Sequence, residues 1–229
     1  MADRTEREHR QGNSGVVHQA AGLKGGGIYI PAEAYPYLVI QRGALDDMRG
    51  EPQVWIDRYA QALQSEYWSM EPYLPAVCHS ILDVGSGMGG IDILLARHYG
   101  EGIRVTLMDG IDDLADMEWH SRTFNSMTVA KAFLAANQVL EVDLIDANDP
   151  GRRLSRYYDL VVSLKAWCFH IEPAEHLKVI AEAMHPGATL IVDVRRDRPE
   201  WEAQLCEHFQ EVHVIYPGLK FRTIQYRRR

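Results

Sequence analysis

The stretch Ile81-Leu82-Asp83-Val84-Gly85-Ser86-Gly87-Met88-Gly89-Gly90 constrains the fold of this chain more than any other. The apolar run before it reads as a short buried strand. Gly90 to His98 then reads as a helix, with Ile91, Leu94, Leu95 and His98 on one face. So many glycines weaken a helix start unless the turn is tight and a ligand must approach the bare backbone. Strand, glycine turn and helix in that order open an α/β sheet.

The rest of the chain continues the alternation. Strands are expected at Ile103–Met108, Val139–Val142, Leu160–Leu164 and Thr189–Val194, the last entered through His185-Pro186-Gly187. Helices are expected at Ser126–Ala136, Pro173–Met184 and Trp201–Phe209. Val212–Tyr216 and Phe221–Tyr226, joined by Pro217-Gly218-Leu219-Lys220, read as an antiparallel hairpin. The expected fold class is α/β: a Rossmann-like, doubly wound, seven-stranded sheet, mostly parallel and closed by a C-terminal antiparallel hairpin.

Ahead of this unit, residues 1–27 are polar and end in Gly25-Gly26-Gly27, which reads as a mobile arm. Residues 28–79 are rich in Tyr, Trp and Pro. They contain one helical stretch, Pro52–Met70, with Trp55, Ile56, Tyr59, Ala60 and Leu63 at helical spacing. That region reads as an N-terminal helical and aromatic cap over a substrate pocket, or as plain core packing. Residues 80–229 form the main domain.

The chain has 229 residues, 46% of them hydrophobic, enough for one sizeable core. Its formal charge of −8 gives no overall field toward phosphate backbones, so nucleic acid is disfavoured as a partner. No apolar run reaches the roughly 18 residues of a membrane span, and the charged N-terminus is unlike a signal peptide. Cys78, Cys168 and Cys206 are scattered and unpaired in spacing. They point to a reduced, cytoplasmic compartment and to no structural metal.

The glycine turn admits two ligands. Gly85-x-Gly87-x-x-Gly90 satisfies the dinucleotide fingerprint, which leaves an NAD-dependent oxidoreductase open. Asp83 argues otherwise, because a carboxylate repels a pyrophosphate but attracts the ammonium of an amino acid. Asp109, at the end of the second strand, can accept from both hydroxyls of a ribose. Gly110 then lets the backbone pass close to the sugar. An adenine contact is expected from Asp143 or Asp146, with Asp143 preferred and Leu144 lying against the ring.

The turn Asp83–Gly90, the acidic Asp109 and the Pro186-Gly187 entry to the fifth strand together resemble class I S-adenosylmethionine-dependent methyltransferases over roughly Ser80–Tyr226. A narrower similarity, to methyltransferase-domain proteins of bacteria and phages, lies in Ser163-Leu164-Lys165-Ala166-Trp167-Cys168-Phe169-His170. The helix from Phe124 to Asn137 is similar to the same group. The resemblance implies S-adenosylmethionine as cofactor, with a binding set of Asp83, Gly85, Ser86, Gly87, Asp109, Gly110, Asp143, Leu144 and Leu164. After the fourth strand, Ser163-Leu164-Lys165-Ala166 stands where base N-methylating enzymes often carry Asn/Asp-Pro-Pro-Tyr/Phe. That departure counts against methylation of a nucleobase amine.

The expected activity is methyl transfer to a small-molecule acceptor, on oxygen; a macromolecular acceptor is the alternative. His170, just past the fourth strand at the ligand-binding edge, is the candidate general base because its ordinary pKa is about 6.5. A histidine bonded within the next helix start is the bland reading. Lys165 either positions an anionic substrate or is solvated. Asp112, Asp113 and Asp116 read as an acidic surface loop rather than a magnesium site.

Overall fold

The computed structural model describes residues 23–38, 52–110, 125–154 and 157–229. Its main sheet has seven strands: β3 (Ser80–Val84), β4 (Arg104–Asp109), β5 (Val142–Asp146), β6 (Tyr158–Ser163), β8 (Met184–Arg195), β9 (Phe209–Tyr216) and β10 (Phe221–Arg228). They lie in the order β5-β4-β3-β6-β8-β10-β9. The first five run parallel, and β10 is antiparallel to both β8 and β9. The order reverses beside β3. At that point the helices leaving adjacent strands go to opposite faces and open a crevice at the carboxyl edge.

Side-chain alternation along the strands builds two cores. Ile81, Val105, Leu107, Leu160, Val162 and Ile191 face one side. There they meet α2 (Pro52–Met70), α3 (Gly90–Tyr99) and α4 (Met127–Ala136). Leu82, Val84, Met108, Val161, Leu190, Val192 and Val194 face the other. They meet α5 (Leu177–Glu182), α6 (Pro199–His208) and the wholly buried Trp167. The central strands are therefore apolar on both faces, as a parallel sheet covered on both sides requires.

The N-terminal region joins the first core. Trp55, Ile56, Tyr59, Ala60 and Leu63 of α2 are buried, so that face packs along its length. Gly90 has no Cβ because Tyr59 lies there: a Cβ would sit 2.1 Å from the tyrosine hydroxyl. Residues 23–27, read from sequence as the end of an arm, instead belong to a hairpin of β1 (Leu23–Gly25) and β2 (Ile28–Ile30). Gly26 and Gly27, at φ 53° and 79°, make its turn. Three successive glycines look like a linker, but two in left-handed backbone suit a tight hairpin. Asn137 docks the hairpin, accepting from the Tyr29 N–H at 2.9 Å and donating to the Tyr29 carbonyl at 2.6 Å. Residues 1–22 of the expected arm lie outside the described residues.

Three further expectations shift. The third parallel strand is Val142–Asp146, not Val139–Val142. Its aspartates mask the strand pattern, since an edge strand can expose charge where a central one cannot. The helix expected over Pro173–Met184 is broken: Pro173–Glu175 is a 3-10 turn, and α5 begins only after His176, whose φ of −128° is not helical. Finally, β7 (Ala166–Ile171) is extended where a loop and helix start were expected, and it belongs to neither sheet.

Candidate functional site

The glycine turn leaves β3 at the carboxyl edge. Gly85, Gly87 and Gly89 have φ of 71°, 55° and 67°, values that L side chains adopt at a cost. The Gly85 N–H donates to the Met108 carbonyl at 2.7 Å, which anchors the turn to β4. Ala166 covers the turn from above; a Cβ on Gly85 would lie 2.1 Å from its methyl. The Ser86 hydroxyl is buried and has no hydrogen-bond partner among the described residues. Buried hydroxyls are ordinarily hydrogen-bonded, so this one stands out in the turn.

Asp109, the last residue of β4, organises the same corner. One carboxylate oxygen accepts the Gly87 N–H at 2.6 Å and the other accepts the Gly110 N–H at 2.7 Å. Gly110 is confined by Asn148, whose amide nitrogen would lie 3.0 Å from a Cβ there. On β5, Asp146 pairs with Asp109 at the carboxyl edge, whereas Asp143 pairs with Thr106. Asp143 is thus set back by three residues, about 10 Å at 3.3 Å per residue, and its side chain is exposed. Leu144 is also exposed, two residues back from the edge.

Asp83 is buried one residue before the end of β3. Its face of the sheet is that of Ile81, toward α3, and there it meets Asp92, which sequence reasoning passed over. Asp92 is fully buried, and its pKa is held well above the carboxylate range, first by burial and then by the charge of Asp83.

Beside the turn lies a second feature, a groove of about 200 Å³ between the end of α2 and the carboxyl ends of β6 and β8. Met70, Leu164, Tyr216 and Phe221 supply apolar walls, and Ser65, Glu66, Ser69, Lys165, Asp193 and Thr223 supply polar ones. Lys165 has φ 58°, a left-handed conformation in a non-glycine residue. Three contacts hold that corner. Its N–H donates to Asp193 at 3.1 Å, the Thr223 hydroxyl donates to the same carboxylate at 2.6 Å, and its Nζ pairs with Glu66 at 2.8 Å. Lys165 is therefore paired with α2 while its side chain stays 41% exposed. Strained backbone of this kind collects where a scaffold fixes functional geometry.

His170 is exposed on β7 and does not line the groove. Its neighbour Phe169 packs on the groove residue Phe221 at 5.5 Å between ring centres. Partial burial and the charge of Arg195 lower the His170 pKa, so the ring is neutral at neutral pH. Asp112, Asp113 and Asp116 lie outside the described residues. A larger hollow of about 490 Å³, lined by His79, Arg104 and Tyr157, sits at the opposite, amino edge. It is remote from the crevice where such sheets bind ligands.

The strand order and the antiparallel β10 between β8 and β9 now decide the architecture. The chain has the class I methyltransferase fold. No protein-family model matches the chain, and no curated protein matches it. Solved structures of this fold match it at low identity. The O-methyltransferase region named StiE O-MT is 10% identical at TM-score 0.58, covering 86% of this chain and 81% of that one. The pyocyanin biosynthetic protein PhzM is 18% identical at TM-score 0.55, over 85% of this chain and 61% of that one. The N-methyltransferase NodS of Bradyrhizobium japonicum WM9, in complex with S-adenosyl-L-homocysteine, is 15% identical at TM-score 0.54, over 85% and 98%. Within the class I methyltransferase fold, the glycine turn and Asp109 occupy the crevice, and the Lys165 groove opens beside them.

The turn and Asp109, singled out from sequence, meet at this corner, whereas Glu66, Asp92, Asp193 and Tyr216 join it only in the folded chain. Asp193 had left a signal, a lone carboxylate inside the apolar run Thr189–Val194. Asp92 resembled an ordinary acidic residue in a helix first turn. Glu66 and Tyr216 come from distant segments and carried no local signal.

Proposed function

We propose that this protein is an S-adenosylmethionine-dependent methyltransferase acting on a small molecule at oxygen. The observation that carries the reading is the glycine turn itself, with its bare left-handed backbone, its buried Ser86 hydroxyl without a partner among the described residues, and the carboxylate of Asp109 behind it. These residues fit a nucleoside-bearing amino acid. The Asp109 carboxylate suits ribose hydroxyls, Ser86 can donate to a ligand carboxylate, and Asp83 attracts an ammonium. The Asp83 carboxylate disfavours the pyrophosphate of NAD, whereas an acidic residue in the place of Asp109 suits the ribose of either ligand. Asp146, level with Asp109 at the sheet edge, takes the adenine contact in preference to Asp143. The methyltransferase neighbours, S-adenosyl-L-homocysteine-bound NodS among them, support the same ligand.

When bound, the cofactor supplies an electrophilic methyl group; the protein supplies position and proton management. The Lys165 groove is the proposed acceptor site. Its volume is below the roughly 300–1,000 Å³ of drug-sized pockets, which suits a small acceptor better than a polymer strand. Tyr216, Phe221 and Met70 can sandwich an apolar or aromatic body, while Ser65, Ser69 and Glu66 can orient a hydroxyl. Glu66 is already committed to Lys165. Neutral His170 lies outside the groove lining, one residue beyond Phe169, and its proposed role is to accept the hydroxyl proton through one bridging water.

The direct test is transfer of labelled methyl from S-adenosylmethionine into a metabolite extract, with the labelled product identified by mass. Absence of any labelled small molecule, with label appearing in protein or RNA, moves the acceptor to the macromolecular class. His170→Ala is expected to lower kcat about tenfold. That is less than the usual 10²–10⁴-fold for a general base, because solvent reaches this exposed side chain. In the wild type, kcat should rise as pH passes upward through a value below the ordinary 6.5 and then plateau, since the base form exists above the lowered pKa. An unchanged rate in His170→Ala removes His170 from the proton transfer.

A further inference from the structure

Asp92 sits wholly enclosed on the first turn of α3. Among the described residues no side chain but Asp83 is placed to satisfy its carboxyl oxygens. Two enclosed carboxyl groups set against each other repel when both are ionised, which favours a single proton held between them. Asp83 lies directly before the glycine turn, and Asp92 lies directly after it, so the pair forms the floor beneath the turn. From α2, the Tyr59 hydroxyl approaches Gly90; from β3, Asp83 is the charged group whose field reaches Asp92.

We infer that Asp92 is a positioning residue for cofactor binding: a neutral carboxylic acid whose O–H donates to Asp83 and aims that carboxylate at the ammonium of the ligand's amino-acid end. This inference rests on the cofactor reading above for the ligand, but not for the proton. Asp92 is the more enclosed of the two and the one whose pKa is held well above the ordinary carboxylate value, so the proton is assigned to it. A donor held rigidly by the helix start limits the orientations open to the Asp83 carboxylate. An ammonium arriving there finds one oriented negative charge rather than two repelling ones.

The proton is tested without ligand. The infrared band of a protonated carboxyl should be present in the wild-type protein at neutral pH and absent from Asp92→Asn. Wild-type stability should also fall as pH rises from the ordinary carboxylate range toward the raised pKa, because the unfolded chain gives up the proton first. Asp92→Asn should lack that fall. A wild type without the band overturns the inference, whether or not any ligand binds.

The positioning role is tested with S-adenosylhomocysteine by calorimetry on folded variants. Asp92→Asn keeps an N–H donor toward Asp83 and is expected to bind within about threefold of wild type. Asp92→Leu removes the donor and is expected to bind about tenfold more weakly, the equivalent of one lost hydrogen bond to a charged group. Equal affinities for Asn and Leu overturn the positioning role. If the wild type itself fails to bind while the infrared band is present, the cofactor reading has failed and the shared proton stands.

Discussion

Gly85→Ala is expected to lower the Tm by roughly 5–20 °C, at about 2–4 °C per kcal/mol for a chain of this size, and to remove measurable cofactor binding. Two costs add. A φ of 71° is left-handed, at about 1–2 kcal/mol for an L side chain. The new methyl would also meet the Ala166 methyl at 2.1 Å and its Cα at 3.5 Å. Overpacking of that kind costs about 1–3 kcal/mol. Relief requires the start of β7 to move, and that segment roofs the turn. Thermal unfolding and calorimetry with S-adenosylhomocysteine check the two halves separately. Wild-type binding in this variant would mean that the turn is not the ligand's seat. Ala166→Gly provides a second-site test, because it removes the opposing methyl and should recover part of the lost stability.

Asp109→Ala is expected to weaken S-adenosylhomocysteine about a hundredfold or more while costing less stability than Gly85→Ala. The carboxylate spans the turn and the end of β4, taking the Gly87 and Gly110 N–H groups on separate oxygens. A hydrogen bond to a charged group contributes about 1.5–3 kcal/mol, and about 1.4 kcal/mol is tenfold in affinity. Removing the side chain takes away the proposed ribose acceptor and frees the turn that the ligand must find ordered. Asp109→Asn should fall between, because its amide offers one acceptor and turns a donor toward another N–H. Unchanged calorimetric affinity in Asp109→Ala would exclude Asp109 from the ribose site.

Both predictions concern residues that were legible from sequence, and that is no accident of this chain. A glycine turn between a strand and a helix is a local device: its residues are neighbours, and its backbone requirement is written in residue type. The buried strands were legible because β3, β6 and the outer half of β8 are covered on both faces and so read as unbroken apolar runs. β5 was displaced by three residues because an edge strand carries no such run. Asp143 was preferred over Asp146 on that misplaced boundary, and the observed register sets Asp146, not Asp143, beside Asp109. The hairpin β1–β2 was hidden for a different reason. Its glycines mark a turn only once Asn137, more than a hundred residues away, bonds to Tyr29.

What the sequence determined by itself was the sheet-and-helix alternation, the glycine turn and the carboxylate of Asp109, because periodicity and turn chemistry act between near neighbours in the chain. Only tertiary structure decided that Asp92 faces Asp83, that Glu66 reaches Lys165 across 99 residues, and that Asp193 and Thr223 hold Lys165 in its left-handed turn. Those pairings depend on which strands become adjacent and which faces of α2 and α3 are buried. Side-chain charge and protonation follow from that enclosure, and no local stretch of sequence encodes it.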